Sequence, residues 1–289
     1  MNKDQMLSRR RALLAGAVAL AAAGQTGLFT VEPTVIRDAP RKPAPAPGAP
    51  AETGAAGPPA RRPVKASTYR LQPLTGYSPP RRAPLRTPVR RAPILRLSGI
   101  GRRMVLTFDD GPDPRYTPGI LSTLRKHDVR AMFFVCGGMA ADNKDLLRRM
   151  VDDGHVIGNH TWSHPLLTSL SRSGVRDEMD RTSDLIEDTV GERPLWFRAP
   201  YGAWNRAAFQ LGAELGMEPL AWTVDTLDWT TPGTGTIVTR VIDGAGPGVV
   251  VLSHDAGGDR SQSVAALRSY LPDLLDEGYR ITVPQRRRV

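Results

Sequence analysis

From Arg102 onward, short apolar runs alternate with longer stretches whose apolar positions recur at helical spacing. Runs at Arg103–Phe108, Ala131–Cys136, His155–Gly158, Leu195–Arg198, Pro219–Val224, Gly248–Ser253 and Tyr279–Val283 predict strands. Between them, Pro118–His127, Lys144–Asp153, Arg176–Thr189, Arg206–Leu215, Ile237–Ile242 and Ser263–Leu275 predict helices. Met179, Leu185 and Ile186 supply the apolar positions of the otherwise charged Arg176–Thr189 stretch. This βα alternation predicts an α/β domain over residues 102–289, built on a largely parallel sheet or barrel. Residues 32–101 carry neither period. They are rich in Pro, Ala, Gly and Arg, as in Ala44–Pro50, and are expected to form a disordered basic linker that cannot bury a core.

Parallel strands present their working groups at their C-terminal ends, in open sheets and barrels alike. The polar residues just past the predicted strands are Asp109 and Asp110, Asn159 with His160 and His164, and Arg198. Asp225 with Asp228, and Ser253, His254 and Asp255, complete the set. Five of the seven predicted strand ends deliver an ionisable or metal-ligating group, which scattered surface polarity would not do.

Charge separates the two parts of the chain. The chain holds 39 Lys and Arg against 29 Asp and Glu. Residues 1–100 hold 17 basic and 4 acidic residues, whereas residues 101–289 hold 22 and 25. The folded part is therefore slightly acidic, which argues against a nucleic-acid partner. The basic linker reads either as a solvated spacer or as an electrostatic contact to an anionic cell wall. Residues 1–31 read as an export signal. Ser8-Arg9-Arg10-Arg11 precedes the apolar run Ala12–Ala23, which is short for a membrane span, so no stable span is expected. Arg10 and Arg11 suit the twin-arginine route, and a general secretory signal fits as well. The single cysteine, Cys136, sits in an apolar run and is expected to be a buried structural thiol. His155 is expected to be structural too. Tyr77, Trp162 and Trp204 are candidates for lining a ligand groove, and Trp196 is expected in the core.

His160 and His164 stand at i and i+4, a spacing that on a helical turn puts both imidazoles on one face. A carboxylate as third ligand would leave a position open for water, as catalytic metal sites require. Asp109-Asp110 can supply it. Neighbouring side chains in an extended segment point opposite ways, so one aspartate could ligate while the other serves as a base. Taken alone, Asp109-Asp110-Gly111-Pro112 reads first as an acidic turn.

Thr107–Pro112, His160–His164, Arg198–Gly202, Asp225–Trp229 and Leu252-Ser253-His254 together resemble, in order, the five motifs of the NodB-homology polysaccharide deacetylases, carbohydrate esterase family four. The resemblance covers about residues 102–284 and implies a distorted (β/α) barrel. It implies one divalent cation, usually zinc, with cobalt or nickel as alternatives, held by Asp110, His160 and His164. Asp109 would be the general base and His254 the general acid. Arg198 would orient Asp109, and Asp228 would keep His254 cationic. Trp229 and Leu252 would receive the acetyl methyl, and the Tyr201 N–H would face the oxyanion. The expected reaction is removal of N-acetyl groups from an extracellular glycan, with peptidoglycan N-acetylglucosamine first and chitin oligomers second. An acetylxylan O-esterase and a non-catalytic wall-binding homologue are the alternatives.

Overall fold

The computed structural model describes residues 87–284. The export-signal region, most of the basic linker, and Tyr77 lie outside the described residues. Among the described residues eight strands are formed: β1 (Arg103–Asp109), β2 (Met132–Val135), β3 (Val156–Asn159), β4 (Trp196–Phe197), β5 (Glu218–Pro219), β6 (Val224–Asp225), β7 (Val250–His254) and β8 (Arg280–Ile281). Seven helices accompany them: α1 (Thr117–Lys126), α2 (Gly137–Asp142), α3 (Lys144–Asp152), α4 (Arg172–Val190), α5 (Arg206–Glu214), α6 (Thr234–Asp243) and α7 (Ser261–Asp276). Every ladder between named strands is parallel, in the order β5-β4-β3-β2-β1-β7-β6, with β8 added beside β1. Among the described residues no helix is long and apolar enough to cross a membrane.

The period-two alternation of β1 and β2 sorts their residues into two cores. Met104, Leu106, Phe108, Phe133 and Val135 face the helices, packing with Ile120, Leu124, Leu267 and Leu271. Val105, Met132, Phe134, Trp196, Leu220 and Val250 pack together on the other face, inside the curl of the sheet. Thr107 and Asp109 share the parity of Val105, so β1 carries its polar end to the mouth of that inner core.

Local chemistry sets the helix ends. Pro118 stands in the first turn of α1, where its missing N–H costs nothing. The Ser171 hydroxyl caps α4 by accepting from Gly174 N, and left-handed Gly191 closes it. Asn205 caps α5 through Ala208 N. The short helix α2, of sequence Gly-Gly-Met-Ala-Ala-Asp, has too little apolar periodicity to be read in advance.

The strand expected at Pro219–Val224 is instead two. Its start pairs with β4 and its end with β7, the two opposite sides of the sheet. The sheet therefore curls until both edges share one stretch of backbone, and that stretch must leave strand geometry to pass between them. Ile94 fills the gap: its N–H donates to the Pro219 carbonyl at 2.8 Å, and its carbonyl accepts from Ala221 N at 2.8 Å. Arg96 bridges Val249, and Leu97 N donates to Gly248 O at 2.9 Å. Arg90 pairs with Glu218. The fold thus begins before residue 102. Residues 87–101 were expected in the linker because Pro, Arg and single aliphatics carry no strand period, yet isolated bridges need none.

A chain begun at residue 102 should consequently fold less stably than one begun at Thr87. Losing these hydrogen bonds and the half-buried Ile94 and Leu97 should cost about 2–4 kcal/mol. Thermal unfolding should show a midpoint lower by about 5–10 °C; equal midpoints would deny the segment a part in closing the barrel.

Candidate active site

The site opens at the C-terminal ends of the strands, in a groove of about 790 Å³. At its floor Arg198, just past β4, is wholly buried. Its guanidinium donates to Asp109 Oδ1 at 2.7 Å, Thr107 Oγ1 at 2.8 Å, and the Leu220 and Ala221 carbonyls at 3.0 Å each. It also lies over the Phe134 ring, 4.1 Å from the centroid. With Oδ1 taken, Asp109 turns Oδ2 toward His160 Nε2, 3.6 Å away. Burial raises the Asp109 carboxyl above its ordinary value, and Arg198 and His254 oppose that rise.

Asp110 does not point away from its neighbour as an extended pair would. Its backbone is left-handed, with φ 77°, and its carboxylate turns back toward the histidines. Oδ1 lies 3.5 Å from His160 Nε2 and 3.4 Å from His164 Nε2. The histidines are not on a helical turn either. They converge through an irregular loop in which Thr161 and His164 are left-handed. Asn159 Oδ1 accepts from Thr161 N, and Glu178 of α4 accepts from the N–H groups of Trp162 and Ser163, each at 2.8 Å.

These three side chains fit a divalent cation. Their ligand atoms lie within 4.8 Å of one another. Asp110 Oδ1 is buried without a hydrogen-bond partner, a costly condition that a cation would relieve. His160 Nδ1 is 2.8 Å from the Arg198 carbonyl, so it carries the proton and leaves the Nε2 lone pair facing Asp110. Burial lowers the His160 pKa to about 3, despite the nearby Asp110, so the ring is neutral. One nitrogen-rich, one-carboxylate set with soft-to-borderline imidazoles suits zinc chemistry.

Across the groove, His254 at the end of β7 has Nδ1 2.6 Å from Asp228 Oδ1. Asp228 Oδ2 accepts from His254 N at 2.9 Å and from Ser263 Oγ at 2.6 Å. Burial alone would lower the His254 pKa, but the Asp228 carboxylate overrides it and the pKa rises to about 9.

Residues 98–220 match the family model of polysaccharide deacetylases. A peptidoglycan-N-acetylglucosamine deacetylase of Bacillus cereus is 40% identical over 185 residues, covering 63% of this chain and 86% of that protein. The chain belongs to the polysaccharide deacetylase family. A chitooligosaccharide deacetylase of Rhizobium leguminosarum bv. trifolii is 36% identical, covering 64% of this chain and 91% of that one. Peptidoglycan-N-acetylglucosamine deacetylase PgdA of Listeria monocytogenes is 39% identical over 62% of this chain, but the match spans only 37% of its length. Among solved structures, peptidoglycan deacetylase PdaC from Bacillus subtilis has a TM-score of 0.59 at 39% identity, covering 63% of this chain and 88% of that one. A CE4 family pseudoenzyme from Bacillus anthracis has a TM-score of 0.62 at 32% identity, covering 66% of each chain. These matches support the distorted parallel barrel expected for the family.

The remaining expected site residues all reach the groove. Leu252 is buried in its wall, and Trp229 stands exposed on the turn Asp228–Thr230. Tyr201 is left-handed, with φ 59°, and its ring packs edge-on to His164 at 4.5 Å. Its turn is closed by the N–H groups of Gly202 and Ala203, not by its own. Trp162 lines the groove under Arg181. Trp204 does not: it stacks on Phe209 and lines a separate groove beside Arg90, Arg91 and Arg206. Trp196 is core. Cys136 is buried, and burial drives its thiol pKa up, so it stays protonated. His155 is buried and neutral, with its pKa lowered by burial to about 4, and Nδ1 accepts from Ala131 N.

Sequence reasoning passed over Glu178, Trp222 and Arg260. Glu178 sits on a charged helix face, Trp222 inside a supposed strand, and Arg260 past the last motif, so none carried a local signal. Asp255 was visible only as a strand-end polar residue. It is wholly buried; burial raises its carboxyl to about 7, against hydrogen bonds from Thr117 Oγ1 at 2.5 Å and Gly111 N at 3.1 Å.

In the cation-free protein, NMR titration should find His254 protonated up to about pH 9. Because that folded pKa lies above the ordinary 6.5, the pair contributes stability that is full below about pH 6.5 and lost as pH rises through about 9. Asp228→Asn should bring the His254 midpoint down to 6.5 or lower; an unmoved midpoint would mean that Asp228 is not what holds the charge.

Proposed function

We propose that this protein hydrolyses N-acetyl groups on an extracellular glycan, with Asp110, His160 and His164 holding a divalent cation, zinc first and cobalt or nickel as alternatives. The observation that carries this reading is Asp109, fixed by Arg198 through one oxygen and presenting the other to an Asp-His-His cluster in which Asp110 Oδ1 has no hydrogen-bond partner. A pure salt bridge would have no use for such an arrangement. The cation, when bound, supplies a Lewis acid that lowers the pKa of adjacent water toward about 7 and polarises the acetyl carbonyl.

The chain's own groups do the rest. Asp109 Oδ2 takes the proton of the attacking water, and Arg198 keeps that carboxylate aimed. The Tyr201 N–H donates to the oxygen on which negative charge develops. His254, with Nδ1 committed to Asp228, has Nε2 to deliver a proton to the departing amine. Leu252 and Trp229 shape an apolar recess for the acetyl methyl. Trp162 and Trp222 offer flat faces to sugar rings.

Peptidoglycan N-acetylglucosamine is the first substrate, supported by the named relatives together with the export-type leader and basic linker in the sequence. The same leader supports export by the twin-arginine or general secretory route, with the linker resting on anionic wall polymer. Chitin oligomers are the second substrate, supported by the rhizobial relative.

The test is acetate release from peptidoglycan, chitooligosaccharide and acetylxylan, with and without chelator. Chelator-sensitive release from the first two is expected, and Asp109→Asn should slow it by about 10²–10⁴-fold. Silence on all three would overturn the enzyme reading in favour of a wall-binding homologue. Release from acetylxylan alone would make it an O-esterase. Calorimetric titration with zinc separates the two aspartates: Asp110→Ala should weaken binding by at least about 10-fold, while Asp109→Asn should bind nearly as tightly as the parent.

A further inference from the structure

Asp110 is the site residue with the least support of its own. Its backbone is left-handed, a conformation that non-glycine residues hold only when the surroundings impose it. Its Oδ1 is buried without a partner, so no donor aims that carboxylate oxygen. Its other oxygen lies against the loop that follows β7. A methyl group at Gly257 would come within 2.5 Å of Asp110 Oδ2, so the bare Cα of Gly257 is the wall on which the carboxylate rests.

That wall has no stiffness of its own. Gly257 and Gly258 sit at φ 75° and 146°, where glycine is permissive and nothing local selects one conformer. Arg260 supplies the constraint. It is almost wholly buried, and its guanidinium donates to three carbonyls of its own loop: Ala256 at 2.7 Å, Gly257 at 2.9 Å and Asp259 at 3.0 Å. Among the described residues no carboxylate lies within ion-pair distance of it, so this guanidinium is spent on shaping backbone. The loop's other end is anchored to the strand that carries the aspartates. Asp255 N donates to Asp109 O at 3.1 Å, and the Asp255 carboxylate accepts from Gly111 N and Thr117 Oγ1. Residues 255–260 thereby bracket Asp110 from both sides.

We propose that Arg260 is a positioning residue for the cation site: by gathering three carbonyls it holds Gly257 against Asp110 and aims that carboxylate at His160 and His164. The inference rests on the reading of Asp110 as a cation ligand. A lysine, with one compact ammonium, cannot span the three carbonyls, so the planar fork of arginine is required.

The test measures cation binding itself, with zinc or cobalt alone as probe, on the full chain. Arg260→Ala should weaken zinc binding by about 10–100-fold, in the range of outer partners of metal ligands. The cation-free variant should melt close to the parent, and added guanidinium ion should restore affinity. Arg260→Lys should recover little. At saturating zinc, acetate release should return most of the way to the parent rate. Gly257→Ala, which pushes on Asp110 Oδ2 directly, should weaken zinc binding too, and Arg260→Lys decides the matter if Arg260→Ala does not fold. Parent-like zinc affinity in the folded variants, with the parent itself binding zinc, overturns this inference alone. A parent that binds no cation overturns the ligand reading and this inference with it.

Discussion

The contact between the Arg198 guanidinium and Asp109 lies at the floor of the groove, and the site is assembled around it. Two fully buried charges are costly to desolvate, and removing either would strand the other. The cost is offset because every edge of the guanidinium is used: a carboxylate, a hydroxyl, two carbonyls and the faces of Phe134 and Trp222. The same residue also offers its carbonyl to His160 Nδ1. One side chain therefore aims the base while its backbone sets the tautomer of a ligand imidazole. It also ties β1, β4 and the Leu220–Ala221 crossover together at the point where the barrel closes.

Around that anchor, two histidines in one groove are driven to opposite states. His160 is buried with its Nδ1 on a carbonyl and with Asp109 and Asp110 no nearer than 3.5 Å to its Nε2, and it is neutral. His254 is equally enclosed, but its partner is a buried carboxylate held by a backbone N–H and by Ser263, and it is cationic. Burial pushes both pKa values down; the sign is reversed only where a carboxylate is hydrogen-bonded directly to the ring, as Asp228 is to His254. Environments that separate like groups in this way divide the labour of a ligand from that of a proton donor.

Backbone strain marks the same region. Asp110, Thr161, His164, Tyr201 and Leu227 all take positive φ without being glycine, and four of them border the groove or its ligands. The His160–His164 loop among them is braced from a distance in sequence, by Glu178 accepting from the N–H groups of Trp162 and Ser163. Residues held this way cluster where side chains must meet at angles that regular strands and helices do not offer.

The sequence by itself determined the alternation of elements, the two-faced strands and the collection of polar groups at strand ends. These follow from local periodicity and from the direction of parallel strands, which neighbouring residues encode. The motif residues Asp109, Asp110, His160, His164, Arg198, Asp228 and His254 were legible for the same reason. Local rules misjudged how those residues meet. Asp109 and Asp110 converge because of one left-handed residue, and the histidines converge through a loop instead of a helical turn. The break in the Pro219–Val224 run, the part played by Ile94, and the bracing by Glu178, Asp255 and Arg260 were decided only by the tertiary structure. Each depends on closing a curled sheet and on satisfying buried backbone groups across long sequence separations, which no local pattern records.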